Sequence, residues 1–211
     1  MKKRLFSILY MFLITLFFTS VVSAVKLFND DRIERNEKLK LQRIILKVLD
    51  IPVKEKSGDR DLVQLFEKRV KSTQVGDKTL YISYQEDGKT VAGYAFPIDG
   101  PGFWGPIYGM VAVAPDASRI IGVAFYKHSE TPGLGARIGE TWFTNQFEGL
   151  RLFPIEGEKK IFYLKPQGTG KNPNELDAVT GATGTSRGVE AFLNQELDYF
   201  LKEVWKSVKK G

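Results

Sequence analysis

The chain contains no cysteine among its 211 residues. Disulfide bonds, thiolate metal sites and iron–sulfur clusters held by this chain are therefore excluded. The absence of thiols suits an oxidising compartment without requiring one. The chain also has a single histidine, His128, and a lone histidine is more often structural than catalytic.

Several common nucleotide-binding and catalytic patterns are also missing. No lysine follows a phosphate loop, and the glycines do not open a helix after a parallel strand with an acidic residue downstream, so neither a P-loop nor a Rossmann site is predicted. The sequence has no Ser–His–Asp triad, no carboxylate pair with an evident role, no cluster of metal ligands and no internal repeat. It therefore predicts no catalytic residue and no metal site.

The charge balance is basic but not concentrated. Lys and Arg number 31 against 25 Asp and Glu, which gives a formal net charge of +6. The positive residues are scattered and cluster mainly near the two termini, so the balance does not indicate nucleic-acid binding. It favours anionic or membrane-proximal surroundings.

The N-terminal segment predicts a membrane anchor. Leu5 to Val25 contains no charged residue, and as a helix this run spans roughly 30 Å, the thickness of a bilayer core. No Gly or Pro precedes Pro52. The alternative is a cleaved signal peptide, since residues 22–24 resemble a small-residue cleavage site. The basic start at residues 1–4 predicts a cytoplasmic N-terminus, with everything after Val25 on the other side.

Periodicity divides the rest of the chain into helices and a sheet. Helical spacing predicts helices at Asn36–Ile51, continuing or following the anchor, and at Arg60–Val70, joined by the polar linker Pro52–Asp59. β-branched and aromatic residues then predict four antiparallel strands in two hairpins: Thr79–Tyr84, Thr90–Phe96, Ile107–Ala114 and Arg119–Lys127. Spacing further along predicts three more elements: a short helix at Gly139–Gly149, a strand at Lys160–Lys165 and a final helix from about Ser186 to Lys209. The fold class is α+β, with an antiparallel sheet packed by helices.

Two loops rich in glycine and proline are candidates for a ligand site. The loop Asp99–Gly109 contains Trp104 and is too rigid and apolar for a solvated spacer. Its aromatic rings either plug the end of the core or form a wall for a planar ring system. The turn His128–Ile138 cannot continue a strand, which leaves backbone N–H groups free to point at a ligand.

The stretch Asp177–Ser186 joins a glycine-rich loop to the last predicted helix. Small residues let the backbone approach a ligand, and a helix N-terminus suits a phosphate group. The hydroxyls of this stretch supply further donors or a nucleophile. The structural alternative is that a Ser or Thr side chain caps the helix.

The motif Asp-x-x-Thr-Gly-Ala-Thr within this stretch resembles the flavinylation motif of the FMN-binding domain family. That family includes a flavin-carrying subunit of the sodium-translocating NADH:quinone oxidoreductase and a related subunit of the Rnf electron-transport complex. The resemblance implies that Thr183 is esterified to the phosphate of FMN and that Asp177 belongs to the sequence recognised by the modifying enzyme. Gly184 departs from the family pattern, in which an aliphatic residue is usual.

Two other segments carry the same resemblance. Glu-Thr-Pro-Gly-Leu-Gly from Glu130 to Gly135 is similar to the second family signature, and Gly-Phe-Trp-Gly-Pro is similar to the Trp loop of the sodium-pump subunit. The implied flavin contacts are Trp104, Glu130, Thr131, Gly133, Leu134 and Gly135, together with Thr180, Gly181 and Ala182 beside the acceptor. The implied domains are an anchor (1–25), a membrane-proximal helical segment (26–75) and a covalent FMN-binding domain (76–211).

By the same resemblance, the chain is an electron-transfer subunit of an ion-translocating NADH:quinone oxidoreductase or Rnf-type complex. Its implied partners are the other membrane subunits and an FAD-dependent flavin transferase. Its implied location is the inner membrane, with the flavin domain on the periplasmic side. Two alternatives remain: a stand-alone extracytoplasmic flavoprotein, and an anchored binding module without redox function.

Overall fold

The computed structural model describes residues 2–54 and 58–208. They fall into two units that meet between Leu41 and Gln42. The helix α1, Lys2–Val48, crosses this boundary without interruption. The predicted helix beginning at Asn36 is therefore a continuation of the predicted anchor.

The first part of α1 exposes an apolar surface. Every side chain from Leu5 to Val25 is exposed. By length and composition, α1 is the one helix in the described ranges that is long and apolar enough to cross a membrane, although a signal sequence near an N-terminus passes the same test. The sequence accounts for this helix, because it contains no residue that interrupts the backbone hydrogen bonds.

The end of α1 is closed by its own backbone. The N–H of Ile51 donates to the carbonyl of Leu46 at 2.9 Å, and the N–H of Asp50 donates to that of Lys47 at 3.1 Å. Asp50 has a φ of 55°, the left-handed conformation that usually ends a helix in this way. The helix therefore ends at Val48, ahead of Pro52.

A five-stranded antiparallel sheet forms the centre of the second unit. The helix α2, Asp59–Arg69, leads into strands in the order β1-β2-β3-β4-β5. Their bounds are Val70–Val75, Lys78–Tyr84, Val91–Pro101, Pro106–Val113 and Ile120–Lys127. The predicted α+β class and antiparallel sheet are confirmed, but the predicted number of strands was wrong by one. The missed strand β1 lies at the sheet edge and exposes four consecutive residues, so it has no alternating apolar pattern.

The Trp loop is shorter than the sequence predicted. Strands β3 and β4 extend through most of the segment Asp99–Gly109, and only a tight connection between Pro101 and Pro106 joins them. The N–H of Gly102 donates to the carbonyl of Gly105 at 2.8 Å. This turn fixes Phe103 and Trp104 at the end of the sheet.

The C-terminal part contains a second, parallel sheet of two strands, β6 (Tyr163–Lys165) and β7 (Glu175–Asp177). The predicted strand at residues 160–165 corresponds to β6, whereas β7 was not predicted. The predicted short helix at residues 139–149 is instead a short α-helix, α3 (Thr141–Thr144), between two 3-10 turns.

The last long helix, α4, runs from Thr183 to Tyr199, so it begins earlier than the predicted Ser186. It continues as a π-helical segment, Phe200–Val204, and ends in one turn, Trp205–Val208. The predicted end at Lys209 lies outside the described residues. Both α4 and the π-helical segment pack on β3: Phe192 of α4 lies against Gly100, and Phe200 of the π-helical segment stacks on Phe96 with ring centroids 4.6 Å apart. This packing fixes the first residue of α4 relative to the turn between β3 and β4.

Candidate functional site

The helix α4 begins without a side-chain cap. Ala182 occupies the N-cap position and makes no side-chain hydrogen bond, so the alternative that a Ser or Thr side chain caps this helix is wrong. Thr183 is the first helical residue, and it is exposed. In residues 2–54 and 58–208 its hydroxyl has no hydrogen-bond partner. A helix start of this kind leaves N–H groups and a positive dipole end available to an anion.

The loop before α4 is held by bonds that do not involve Thr183. The N–H of Val179 donates to the Ser186 hydroxyl at 3.2 Å, and the N–H of Ala182 donates to the carbonyl of Val179 at 3.0 Å. Gly181 has a φ of 77°, a conformation that glycine adopts at little cost. The loop is therefore fixed in a shape that presents Thr183 outward.

Asp177 has a structural role of its own. Its carboxylate accepts the N–H of Gly168 at 2.8 Å. Its backbone pairs with the Gln146 side chain through two hydrogen bonds of 2.7 and 3.1 Å. The neighbouring Thr180 hydroxyl donates to Gln167 at 3.2 Å. These contacts connect the loop that follows β6 to the loop that precedes α4.

The segment between β6 and β7 is organised by Glu175. Its carboxylate accepts the N–H groups of Lys171 at 2.7 Å and Asn172 at 3.2 Å, and Lys165 lies 3.8 Å away. The N–H of Lys171, followed by that of Asn172 and the Lys165 cation, holds the pKa of this carboxyl below its ordinary value of 4.5.

A cavity of about 330 Å³ opens beside Thr183. Gln167, Thr180, Gly181 and Arg187 contribute to its lining. Arg187 follows Thr183 by one helical turn, so both side chains lie on the same face of α4. A guanidinium, free N–H groups and a glycine-containing loop are a donor set that fits a phosphate ester.

The second signature lies directly behind the start of α4. Glu130 is buried, and its Oε2 accepts the Thr185 hydroxyl at 2.5 Å. Its Oε1 accepts the N–H groups of Phe103 at 2.8 Å and Trp104 at 3.0 Å. The Glu130 carboxylate thus joins the Trp loop to α4.

The turn after Glu130 brings Leu134 next to the loop that precedes α4. The N–H groups of Leu134 and Ala136 both donate to the carbonyl of Thr131 at 3.1 Å. Gly133 has a φ of 74°. A Cβ at Gly181 would lie 3.1 Å from the Leu134 side chain, which is itself exposed. The two signatures, distant in sequence, therefore lie side by side.

Phe103 and Trp104 form an aromatic wall on the other side of the α4 start. Their rings meet edge to face with centroids 5.1 Å apart, and they are 63% and 66% exposed. The alternative that these rings plug the end of the core is therefore wrong. Phe103 lies against Gly184, the residue after Thr183. An exposed aromatic pair beside an uncapped helix start is suited to a planar ring system.

Most of the predicted site residues thus gather around the first turn of α4, whereas His128 is not among the contacts that build this site. His128 is half-buried, and its Nδ1 has no hydrogen-bond partner in the described residues. Sequence reasoning named the Thr185 hydroxyl only as a possible ligand donor, and it gave no role in the site to Arg187 or Gln167. The helical spacing of Arg187 from Thr183 could have identified Arg187, but no sequence signal connects Gln167 with Thr180.

Residues 102–198 match the FMN-binding domain family. This part of the chain is similar to that family. The match begins at the tight turn of the Trp loop and ends near the last residue of α4, so it includes the aromatic wall and both signatures.

The chain is also similar in sequence to curated proteins. The chain is 37% identical over 130 residues to the Na(+)-translocating NADH-quinone reductase C subunit of Yersinia pestis, covering 59% of this chain and 49% of the relative. It is 38% identical over 122 residues to the protein of that name from Neisseria meningitidis, covering 58% of this chain and 45% of the relative. The chain thus spans about half the length of the curated relatives it matches.

Two crystal structures share the fold. The first is the Na(+)-translocating NADH-quinone reductase C subunit of Parabacteroides distasonis, with a TM-score of 0.67 and 25% identity over 80% of this chain and 93% of the other. The second is NqrC of Shewanella oneidensis, with a TM-score of 0.64 and 25% identity over 79% and 91% of the two chains.

Proposed function

We propose that Thr183 carries FMN through a phosphoester bond. One observation carries this proposal: the Thr183 hydroxyl is exposed and unbonded at an uncapped helix start in an FMN-binding domain. A phosphate on this oxygen meets the N–H groups of the first turn, and the helix dipole stabilises the negative charge by about 0.3–1 kcal/mol. Arg187 provides a positive charge at the same cavity.

The proposed attachment needs FAD and a flavin transferase. The Thr183 oxygen forms a bond to the phosphorus on the riboflavin side of FAD, the bond from that phosphorus to the bridging oxygen of the pyrophosphate breaks, and AMP leaves. The hydroxyl proton is released, so the peptide gains FMN less one water. No electron is transferred in this step. The residues that fix the acceptor loop, Ser186 and Asp177, hold the hydroxyl at the surface, where a second protein can reach it.

The flavin ring system supplies the redox chemistry, and the chain supplies position and surroundings. Trp104 and Phe103 offer one apolar surface near the acceptor, and Leu134 offers another. The exposed turn at Thr131–Gly133, next to Leu134 in the chain, presents further backbone groups. A covalent link prevents loss of the cofactor to the solvent, which a carrier outside the cytoplasm would otherwise suffer.

We further propose that the chain is an electron-transfer subunit of an ion-translocating NADH:quinone oxidoreductase. The names of its relatives support this assignment. In this proposal NADH oxidation belongs to another subunit. The other membrane subunits are its partners in the complex. A stand-alone flavoprotein would share the flavin but would be purified from the membrane without those subunits.

We propose that α1 anchors the chain in the inner membrane. The exposed apolar surface from Leu5 to Val25 supports an anchor. The basic residues before Leu5 favour a cytoplasmic N-terminus, which places the flavin domain on the periplasmic side. We propose an anchor (1–25), a membrane-proximal segment and an FMN-binding domain in that order. The predicted boundary between residues 75 and 76 would separate the paired strands β1 and β2, so the domain begins before β1.

Intact-mass and peptide mass spectrometry test the attachment. The chain is produced together with an FAD-dependent flavin transferase, and the expected product carries one FMN less one water on the peptide containing Thr183. Thr183→Ala abolishes the addition. The matched control is Thr169→Ala, because Thr169 is also exposed and its hydroxyl bonds only the nearby carbonyl of Pro166. This control retains full modification.

Two outcomes would contradict the proposal. Modification that persists in Thr183→Ala would place the acceptor elsewhere. A wild-type protein that stays colourless and unmodified, in the native membrane as well as with the transferase, would favour the binding module without redox function.

A further inference from the structure

A buried carboxylate connects the two sides of the site. Glu130 is 5% exposed and Thr185 is 2% exposed, and the bond between them joins residues 55 positions apart. Buried charged groups are costly unless hydrogen bonds satisfy them. Here three donors do so: the Thr185 hydroxyl, and the N–H groups of Phe103 and Trp104.

Two glycines make room for this carboxylate. A Cβ at Gly102 would lie 2.5 Å from Oε1 of Glu130, and a Cβ at Gly135 would lie 2.6 Å from Oε2 and 2.5 Å from the Thr185 hydroxyl. Real side chains do not approach so closely, so any larger residue at either position would displace the carboxylate. The surrounding backbone is thus shaped around the contact between Glu130 and Thr185.

We propose that Glu130 and Thr185 are positioning residues that hold the aromatic wall in place beside the flavin acceptor. Glu130 does not contact the flavin in this proposal; it fixes the backbone of Phe103 and Trp104 and attaches it to the first turn of α4. The inference rests on the proposed function, because the wall matters only if a flavin stands on Thr183. It gives the implied flavin contact Glu130 a different role.

The arrangement separates two tasks. The acceptor hydroxyl is presented by the loop bonds of Val179, Ala182 and Ser186, none of which includes Thr185. The wall is positioned by the bonds of Glu130. Breaking the hydrogen bond between Glu130 and Thr185 therefore leaves the modification of Thr183 intact and loosens the surroundings of the flavin ring.

The test compares three variants made together with the flavin transferase. Thr185→Val keeps the shape of the side chain and removes the hydroxyl, whereas Thr185→Ser keeps the hydroxyl. Thr144→Val is the matched control. Thr144 is buried, and its hydroxyl donates to the nearby carbonyls of Glu140 and Thr141. The readouts are added mass, flavin emission polarisation, quenching of that emission by iodide, and amide exchange at Phe103 and Trp104.

All three variants are expected to carry the full FMN mass. Thr185→Val is expected to lose flavin polarisation, to be quenched more strongly by iodide and to exchange the Phe103 and Trp104 amides faster. Thr185→Ser and Thr144→Val are expected to match the wild type. If Thr185→Val does not fold, Thr185→Ala replaces it against the same Ser variant.

Three results would overturn the inference. They are unchanged polarisation and amide exchange in Thr185→Val, equal changes in the Ser and Val variants, and loss of modification in a folded Thr185→Val protein. Failure of the proposed function gives a different pattern, because the wild type itself then gains no mass. In that case, amide exchange at Phe103 and Trp104 still tests whether the hydrogen bond between Glu130 and Thr185 holds the backbone of these two residues.

Discussion

Phe103 lies so close to Gly184 that a Cβ at position 184 would stand 2.4 Å from Cδ2 of the ring. Glycine stands at this position, where the family pattern has an aliphatic residue, and it leaves the Phe103 ring free to rest against the helix. The ring of Phe103 occupies the space that such a side chain would need. One turn later, a Cβ at Gly188 would lie 2.4 Å from the carbonyl oxygen of Pro101. The two glycines together let α4 approach the Trp loop.

The two glycine positions are expected to differ in their tolerance of alanine. Gly188→Ala would press a methyl group against a backbone carbonyl, and we expect it to lower the free energy of unfolding by about 1–3 kcal/mol. Gly184→Ala meets only an exposed ring that can turn aside, and the better helix propensity of alanine, about 1 kcal/mol, offsets the cost. Urea unfolding of both variants measures the difference. Equal destabilisation would contradict the described contacts.

The π-helical segment is expected to be part of the core. Phe200 is fully buried and stacks on Phe96, so Phe200→Ala should cost about 3–5 kcal/mol of unfolding free energy. Phe153→Ala is the control, because Phe153 is exposed and a surface change of this kind is usually within about 0.5 kcal/mol. Thermal unfolding monitored by circular dichroism compares them. A Phe200→Ala protein as stable as the control would show that the π-helical segment contributes little to the core.

The segment before β7 is expected to loosen in acid. The N–H of Lys171, and after it that of Asn172, lowers the folded-state pKa of Glu175 below 4.5. Its contribution to stability is therefore present above the unfolded-state pKa and is lost as pH falls through the lowered folded value. NMR titration should show the amide signals of Lys171 and Asn172 shifting below pH 4.5. Glu175→Gln should abolish this pH-dependent shift of the two amide signals. Glu156→Gln, a change at an exposed position, should leave the shift unchanged.

The absence of cysteine makes the membrane topology directly measurable. A single thiol placed at Lys68, which is exposed on α2, is expected to react with a membrane-impermeant maleimide in intact spheroplasts. A cysteine inserted after Met1 is expected to react only after lysis. The reverse pattern would place the flavin domain in the cytoplasm. Loss of the N-terminal thiol from the mature protein would indicate a cleaved signal peptide.

Much of the fold could be predicted because its signals are local. The uncharged run before Lys26, the β-branched and aromatic residues of the two predicted hairpins and the helical spacing of α4 all arise within short stretches. The same kind of signal failed for β1, whose residues are mostly exposed, and for β7, which has only three residues. Edge and short strands are defined by their neighbours, so their own sequence carries little pattern.

The sequence by itself determined the acceptor motif, the aromatic loop, the turn at Thr131–Gly135 and a helix long enough for a membrane. These depend on residue types at fixed spacing. Only the tertiary structure decided that Glu130 faces Thr185 and that Phe103 rests on Gly184. Such contacts depend on how the end of β3 and the start of α4 pack together, and packing between distant segments leaves no periodic trace in a single sequence.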